Sequence, residues 1–210
     1  MNTAIIFDLD GTLLDTLGDL HVAVNHALAH FGYPHRTLEE VRRFVGNGAG
    51  QLISLSVPKN ADPAPVLAEF QRFYRENCRA LTGPYDGIPE ALEQLKQEYP
   101  LAIVSNKPDA AVKALCDDFF PGIYARGESA ECPRKPAPDM VHAAMAALNV
   151  ESCIYVGDSE VDVITARNAG VPCISVLWGF RDRDDMESAG GTHFCTSVQE
   201  LVEKIRTFGI

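Results

Sequence analysis

The pattern of this chain predicts an α/β fold: a doubly wound parallel sheet with an all-helical segment inserted after its first strand. Three observations carry that prediction. Ala4 to Phe7 is a short apolar run that stops at two carboxylates, Asp8 and Asp10. From about Thr16 to Thr82 apolar residues recur at helical spacing only. After Gly83-Pro84-Tyr85-Asp86-Gly87, apolar strands and helices alternate. Alternating βα units build a parallel sheet covered by helices on both faces, and a short continuous apolar run suits a strand buried on both sides.

Taken in order, residues 3 to 7 are the central strand. Thr16-x-x-Asp19 has the form of a capping box, and Leu17, Leu20, Val24, Leu28 and Phe31 follow at helical spacing until Gly32 offers a left-handed stop. A short helix over Leu38 to Phe44 precedes the glycine-rich turn Val45-Gly46-Asn47-Gly48-Ala49-Gly50, and another helix passes through Leu52 and Leu55. Asp62-Pro63 is an N-cap followed by a first-turn proline, opening an amphipathic helix through Val66, Phe70, Phe73, Asn77 and Leu81. Then come a helix from Pro89 to Glu98, a strand at Leu101 to Ser105, a helix near Asp109 to Asp118 and a weak strand near Gly122 to Ala125. Pro138 starts a helix; Cys153 to Val156 is a strand, Val161 to Asn168 a helix closed by Gly170, and Cys173 to Leu177 a strand. A last helix uses Val198, Leu201, Val202 and Ile205. The boundaries expected are a core of residues 1–15 and 83–210 and a helical insert of residues 16–82. That insert leaves from a carboxyl end of the sheet, where open α/β folds bind ligands, so a lid is its expected role.

The composition, 46% hydrophobic and 22% charged over 210 residues, permits a sizeable core. A net charge of −11 with no basic run argues against a nucleic-acid partner. An anionic substrate must therefore be attracted locally. No apolar run approaches the ~20 residues that span a bilayer, so no membrane association is expected. The N-terminal stretch has no basic leader and its apolar run ends at Asp8, which predicts a cytoplasmic protein without a signal peptide. The six scattered cysteines, with no C-x-x-C pair, read as reduced thiols; no His/Cys group has zinc-ligand spacing. A monomer or homodimer is expected.

Four spots at or beside predicted strand ends carry the chemistry: Asp8-x-Asp10-Gly11-Thr12, Val104-Ser105-Asn106-Lys107, Lys135-Pro136-Ala137-Pro138, and Gly157-Asp158-Ser159-Glu160-x-Asp162. Side chains two apart on an extended segment point the same way, so Asp8 and Asp10 repel unless a cation intervenes. The set amounts to carboxylates for a hard cation, a hydroxyl and an amide as phosphate ligands, and one or two lysines. Mg²⁺ suits it. In the mechanism that follows, Asp8 attacks phosphorus and forms an aspartyl phosphate. Asp10 protonates the leaving alkoxide and later deprotonates water. Lys135, Ser105, Asn106 and the backbone N–H groups of Gly11 and Thr12 hold the phosphoryl oxygens.

The four spots, in this order, resemble the haloacid dehalogenase-like hydrolases, a superfamily dominated by Mg²⁺-dependent phosphatases. Asp8-Leu9-Asp10-Gly11-Thr12-Leu13-Leu14-Asp15-Thr16 is similar to its first motif, and Ser105, Lys135 and Gly157-Asp158-Ser159 with Asp162 to the other three. The resemblance covers nearly the whole chain. It implies a Rossmann-like core with a helical cap, Mg²⁺ bound by Asp8, Asp158 and the main-chain carbonyl of Asp10, Ser159 supporting the ligands from behind, and Asp162 either doing the same or assisting the metal. Within the superfamily, Val104-Ser105-Asn106-Lys107-Pro108 and Arg43-Phe44-Val45-Gly46-Asn47-Gly48 look like motifs of the phosphoglycolate phosphatases, the second being their cap loop. Trp178-Gly179-Phe180 stands where those enzymes tend to carry Tyr-Gly-Tyr. This resemblance implies hydrolysis of 2-phosphoglycolate or a similar small phosphorylated metabolite, with Gly46 and Asn47 facing substrate from the cap.

Other readings compete. A phosphosugar mutase uses the same parts and discharges the phosphoenzyme to a sugar hydroxyl. A catalytically silent module would only hold a phosphorylated metabolite, although every expected catalytic position is filled. A dehalogenase leaves Asp10 and the metal carboxylates without work. Locally, Ser105 and Asn106 can cap the helix beginning near Pro108, Asp162 can serve its helix dipole, and Lys107 reads as a solvent-facing or rim lysine. The glycine-rich turn at Gly46 is no P-loop, because no Gly-Lys-Ser/Thr follows it and no strand precedes it; it reads as a cap loop facing the site or as a plain helix–helix connector.

Overall fold

The computed structural model describes residues 3–208. Its Cα packing divides into two compact units: residues 1–14 with 84–210, and residues 15–83. In the first unit, six strands lie in the order β5-β4-β1-β6-β7-β8, and every pairing is parallel. They are β1 (Thr3–Phe7), β4 (Leu101–Pro108), β5 (Tyr124–Glu128), β6 (Ser152–Gly157), β7 (Cys173–Val176) and β8 (Phe194–Cys195). The chain leaves β1, fills one side with β4 and β5, and returns to fill the other with β6, β7 and β8. This is the Rossmann-like doubly wound arrangement that the alternation predicted, with its switch in strand order at β1.

Every residue of β1 is buried, as a central parallel strand requires. Ile5 sits opposite Leu101 on one side and Ile154 on the other. On one face of the sheet Ala4, Ile6, Ala102, Val104, Cys153 and Tyr155 pack against Met140, Val141 and Ala144 of helix α7 (Asp139–Leu148). Helix α8 (Glu160–Ala169) is closed by Gly170 at φ +71°, as expected.

Some boundaries differ. Helix α5 (Ile88–Leu95) stops before Glu98, in a turn where Glu98 and Tyr99 both donate to the Leu95 carbonyl. Strand β5 begins at Tyr124, later than expected, while β4 continues beyond Ser105 to Pro108. The pairing of β4 with β5 slips between Ser105 and Pro108, a bulge that holds Asn106 and Lys107 out of the regular ladder. Helix α9 (Arg183–Ser188) and β8 were not foreseen; six and two residues are too short for a periodic signal.

The second unit contains α1 (Leu17–His30), α2 (Leu38–Phe44), α3 (Gly48–Ser56) and α4 (Pro63–Asn77). Leu20, Val24, Leu28, Val41, Ile53, Val66 and Phe70 form its interior. After α1, Gly32 at φ +69° donates to Ala29 and Tyr33 donates to Leu28, the left-handed closure that glycine permits. Thr37 and Glu40 make the reciprocal box that starts α2, and the Asp62 carboxylate accepts from Ala64 N–H ahead of Pro63. Two expectations are corrected. Thr16 caps nothing with its side chain, and the Asp19 carboxylate accepts instead from the N–H groups of Leu81 and Thr82. Helix α4 ends at Asn77, so Leu81 lies beyond it, 63% exposed. Segments β2 (Leu14–Asp15) and β3 (Gly83–Pro84) pair where the chain passes between the units.

Candidate active site

The site is built at the carboxyl ends of β1, β4 and β6. Asp8 follows β1 directly, and its N–H donates to the Val156 carbonyl at 2.8 Å. The turn after it closes through Gly11, whose φ is +84° and whose N–H donates to Leu14 O. Asp8 is only 6% exposed.

Lys135 is the hub. Its ammonium lies 2.6 Å from Asp8 Oδ1, 2.7 Å from Asp162 Oδ1 and 3.2 Å from the Tyr155 hydroxyl, with 3% of the residue exposed. The Tyr155 hydroxyl donates to the same Asp162 oxygen at 3.1 Å. The other Asp162 oxygen accepts from the Ser159 hydroxyl at 2.6 Å and the Ser159 N–H at 3.1 Å. Asp158 accepts from Phe180 N–H at 2.6 Å and from the Thr12 hydroxyl at 3.4 Å.

Three glycines make room for these carboxylates. A Cβ on Gly11 would lie 2.2 Å from Asp158 Oδ2, and one on Gly179 would lie 2.4 Å from Asp158 Cβ. One on Gly157 would lie 2.3 Å from Asp162 Cβ. All three separations are far inside van der Waals contact.

Asn106 differs from expectation. Its side-chain oxygen accepts from Lys135 N–H at 2.6 Å, and its amide nitrogen donates to the Lys135 carbonyl at 3.1 Å. The side chain expected to bind phosphate thus clamps the main chain of Lys135. Lys107 also differs. Its ammonium lies 3.0 Å from Asp10 Oδ1, with side chains 10% and 13% exposed, so it is no rim lysine. The Ser105 hydroxyl donates to the other Asp10 oxygen at 3.3 Å.

Asp8, Asp10, Gly11, Thr12, Ser105, Lys135, Asp158, Ser159 and Asp162 therefore form one connected group. Gly46 and Asn47 belong to the helical unit, between α2 and α3. Tyr155 was not singled out, and Gly157, Gly179 and Phe180 were named only as members of motifs, without the room those glycines leave or the N–H that Phe180 donates. A hydroxyl inside the apolar strand run at Tyr155 was the available signal; nothing local marks a backbone N–H such as that of Phe180.

The electrostatics favour a cation. Burial pushes the Asp8 carboxyl well above the usual range, against the pull of Lys135 and with help from Asp162 and Asp158. Burial, then the charge of Asp162, pushes Asp158 up to about 7, with the Phe180 N–H opposing. Burial alone would lower the Lys135 ammonium, but Asp162 and Asp8 outweigh it and raise it. The Lys135 ammonium contacts Asp8 and Asp162, Arg181 adds a weaker pull on Asp158, and oxygens of Asp8, Asp158 and Asp162 all lie within 4.8 Å of one another. An all-oxygen, charge-deficient cluster of this kind fits a hard divalent cation. Asp10, expected as a metal residue, is absent from that side-chain set because its carboxylate serves Lys107 and Ser105. Its main-chain carbonyl is the part the resemblance assigned.

The family model for haloacid dehalogenase-like hydrolases matches residues 5–176. The chain belongs to that family. It is 37% identical over 187 residues to a phosphoglycolate phosphatase of Cereibacter sphaeroides, covering 84% of this chain and 86% of that protein. A phosphoglycolate phosphatase of Vibrio parahaemolyticus is 32% identical over 216 residues, covering 96% and 95%. A crystal structure from Lactobacillus delbrueckii subsp. bulgaricus superposes with a TM-score of 0.92 at 36% identity, covering 97% of this chain and 98% of that one. This haloacid dehalogenase-like enzyme thus resembles the phosphoglycolate phosphatases across the length of both units.

Proposed function

We propose that this phosphatase hydrolyses 2-phosphoglycolate, or a similar small phosphomonoester, through an aspartyl phosphate on Asp8. The supporting observation is the buried Asp8 carboxylate, held from one side by Lys135 and set among the carboxylates of Asp158 and Asp162. An oxygen of Asp8 forms a bond to phosphorus as the bond to the leaving oxygen breaks. Asp10 gives that oxygen its proton, then takes one from the water that attacks the phosphoenzyme. Lys135 and Ser105 bind phosphoryl oxygens, while Asn106, Tyr155, Asp162 and Ser159 hold Lys135 in place. Mg²⁺, held by Asp8, Asp158 and the Asp10 carbonyl, would supply positive charge to the phosphoryl group. Residues 16–82 are inferred to be the cap, with Gly46 and Asn47 selecting substrate, and the protein is inferred to work in the cytoplasm. The phosphoglycolate phosphatase relatives support the substrate.

The test is inorganic phosphate release from 2-phosphoglycolate, sugar phosphates, nucleotides and pyrophosphate with added Mg²⁺. The expected result is that 2-phosphoglycolate ranks first in kcat/KM. Asp8→Asn should abolish turnover at every Mg²⁺ concentration, beyond the ~10²–10³-fold typical of losing one charge-stabilising contact. Full activity in that variant removes the aspartyl phosphate. Isomer interconversion without phosphate release identifies a mutase.

A further inference from the structure

Lys107 is the charged group that the mechanism leaves unused. It sits on the β4 bulge between Ser105 and Pro108, and the bulge is held by a specific fit. A Cβ on Gly127 would lie 2.6 Å from the Lys107 carbonyl and 2.6 Å from Asp109 Cα, so β5 carries glycine there. Gly127 N–H donates to the Asp109 carboxylate at 2.9 Å, and Lys107 N–H donates to the Ser105 hydroxyl at 3.2 Å. Main-chain contacts thus fix where this side chain starts, and its ammonium ends 3.0 Å from Asp10.

The geometry points to Lys107 as a specificity-determining residue that binds a carboxylate on the leaving group. The inference rests on the proposed phosphatase reaction and deepens it. A leaving oxygen protonated by Asp10 must come within about 3 Å of that carboxyl. With the ammonium one hydrogen bond from Asp10, the leaving oxygen then lies within roughly 6 Å of Lys107 Nζ. In a phosphorylated 2-hydroxy acid, the carboxylate oxygens stand about 3 Å from the ester oxygen, across two bonded carbons. One further hydrogen bond closes the gap to Nζ. Lys135, on the Asp8 side, is committed to Asp8 and Asp162. The two lysines thus divide a substrate with two anionic ends: Lys135 takes the phosphoryl end and Lys107 the acid end. In a chain of net charge −11, this local pair of cations is what such a substrate needs.

The test compares 2-phosphoglycolate with 2-hydroxyethyl phosphate, of the same length with a neutral end, in wild type, Lys107→Met and Lys107→Arg. Wild type should prefer 2-phosphoglycolate. Lys107→Met should lose that preference by about 10- to 100-fold in kcat/KM, chiefly through KM, the usual effect of one charge-assisted hydrogen bond. Lys107→Arg should keep most of it. Independently of any variant, glycolate should compete against 2-hydroxyethyl phosphate in the wild type. If both substrates fall by the same factor in Lys107→Met, the lysine acts only on Asp10 and the inference is overturned. It is equally overturned if wild type hydrolyses both esters without preference, although the phosphatase reading then survives. Hydrolysis of neither ester, nor of any other phosphomonoester, overturns that reading and this one with it.

Discussion

At the scale of single residues, Asp158 links stability to pH. Its pKa is pushed up to about 7, above the ordinary aspartate value of 3.8. The folded, metal-free protein therefore binds more protons here than the unfolded chain does. Between about pH 4 and pH 7 this group lowers stability as pH rises, the reverse of a salt-bridged aspartate. Asp158→Asn keeps the shape and removes the charge. In EDTA at pH 8 its melting temperature should exceed that of wild type by a few °C, at roughly 2–4 °C per kcal/mol for a chain of this size. At pH 4 the gain should vanish. Added Mg²⁺ should raise the melting temperature of wild type and leave Asp158→Asn unmoved. Equal destabilisation of the variant at both pH values would contradict this account. The residues that carry charge were legible in the sequence because Asp8 and Asp158 follow strand ends, Lys135 is framed by prolines in a loop and Asp162 opens a helix. The residues that hold them were less so. Asn106 was visible, but its role was not, since its partner is the main chain 29 residues away. Lys107 lies two residues beyond Ser105 and shares Asp10 with it; only the bulge decides that it turns inward.

At the scale of elements, the strands and long helices were legible because burial imposes a period on them. The ends were less so, because they depend on distant partners. The start of α1 shows this. Thr16-x-x-Asp19 has the sequence of a local cap, yet the Asp19 carboxylate binds the N–H groups of Leu81 and Thr82, 62 and 63 residues on. Asp19 thereby ties the first helix of the helical unit to the segment that leaves it. Asp19→Ala leaves the buried Thr82 N–H without its acceptor, which costs about 1–3 kcal/mol, and frees the more exposed Leu81 N–H at a smaller cost. The expected outcome is faster amide hydrogen exchange and protease cleavage around residues 78–83, with β1 and β6 as protected as in wild type. Uniform loss of protection across both units would show that Asp19 supports more than its own unit.

At the scale of the whole molecule, the six cysteines are all unpaired with one another, and most are enclosed. Burial pushes the thiols of Cys116, Cys153 and Cys173 up to about 12 and that of Cys195 up to about 11. Since only the thiolate reacts, iodoacetamide at pH 8 should spare these four in the native protein and modify them on unfolding. Cys78, half-buried at the end of α4, should react first; prior modification of Cys153 would contradict the buried placement of β6. That order of reaction follows from where the sheet lies in the chain. The same layout sets a schedule for synthesis. Strand β1 is made before both strands that flank it, and its side-chain contact from Thr3 to Ser152 spans 149 residues. Phe180, which donates to Asp158, emerges later still. At ~5–20 residues per second, the strand that precedes Asp8 waits on the order of ten seconds or more for β6, the neighbour on its second side. A nascent chain ending before β6 carries Asp8 and Lys135 but not Asp158, Asp162 or Phe180, so the carboxylate cluster is assembled only after β6 and the segment through Phe180 have been made.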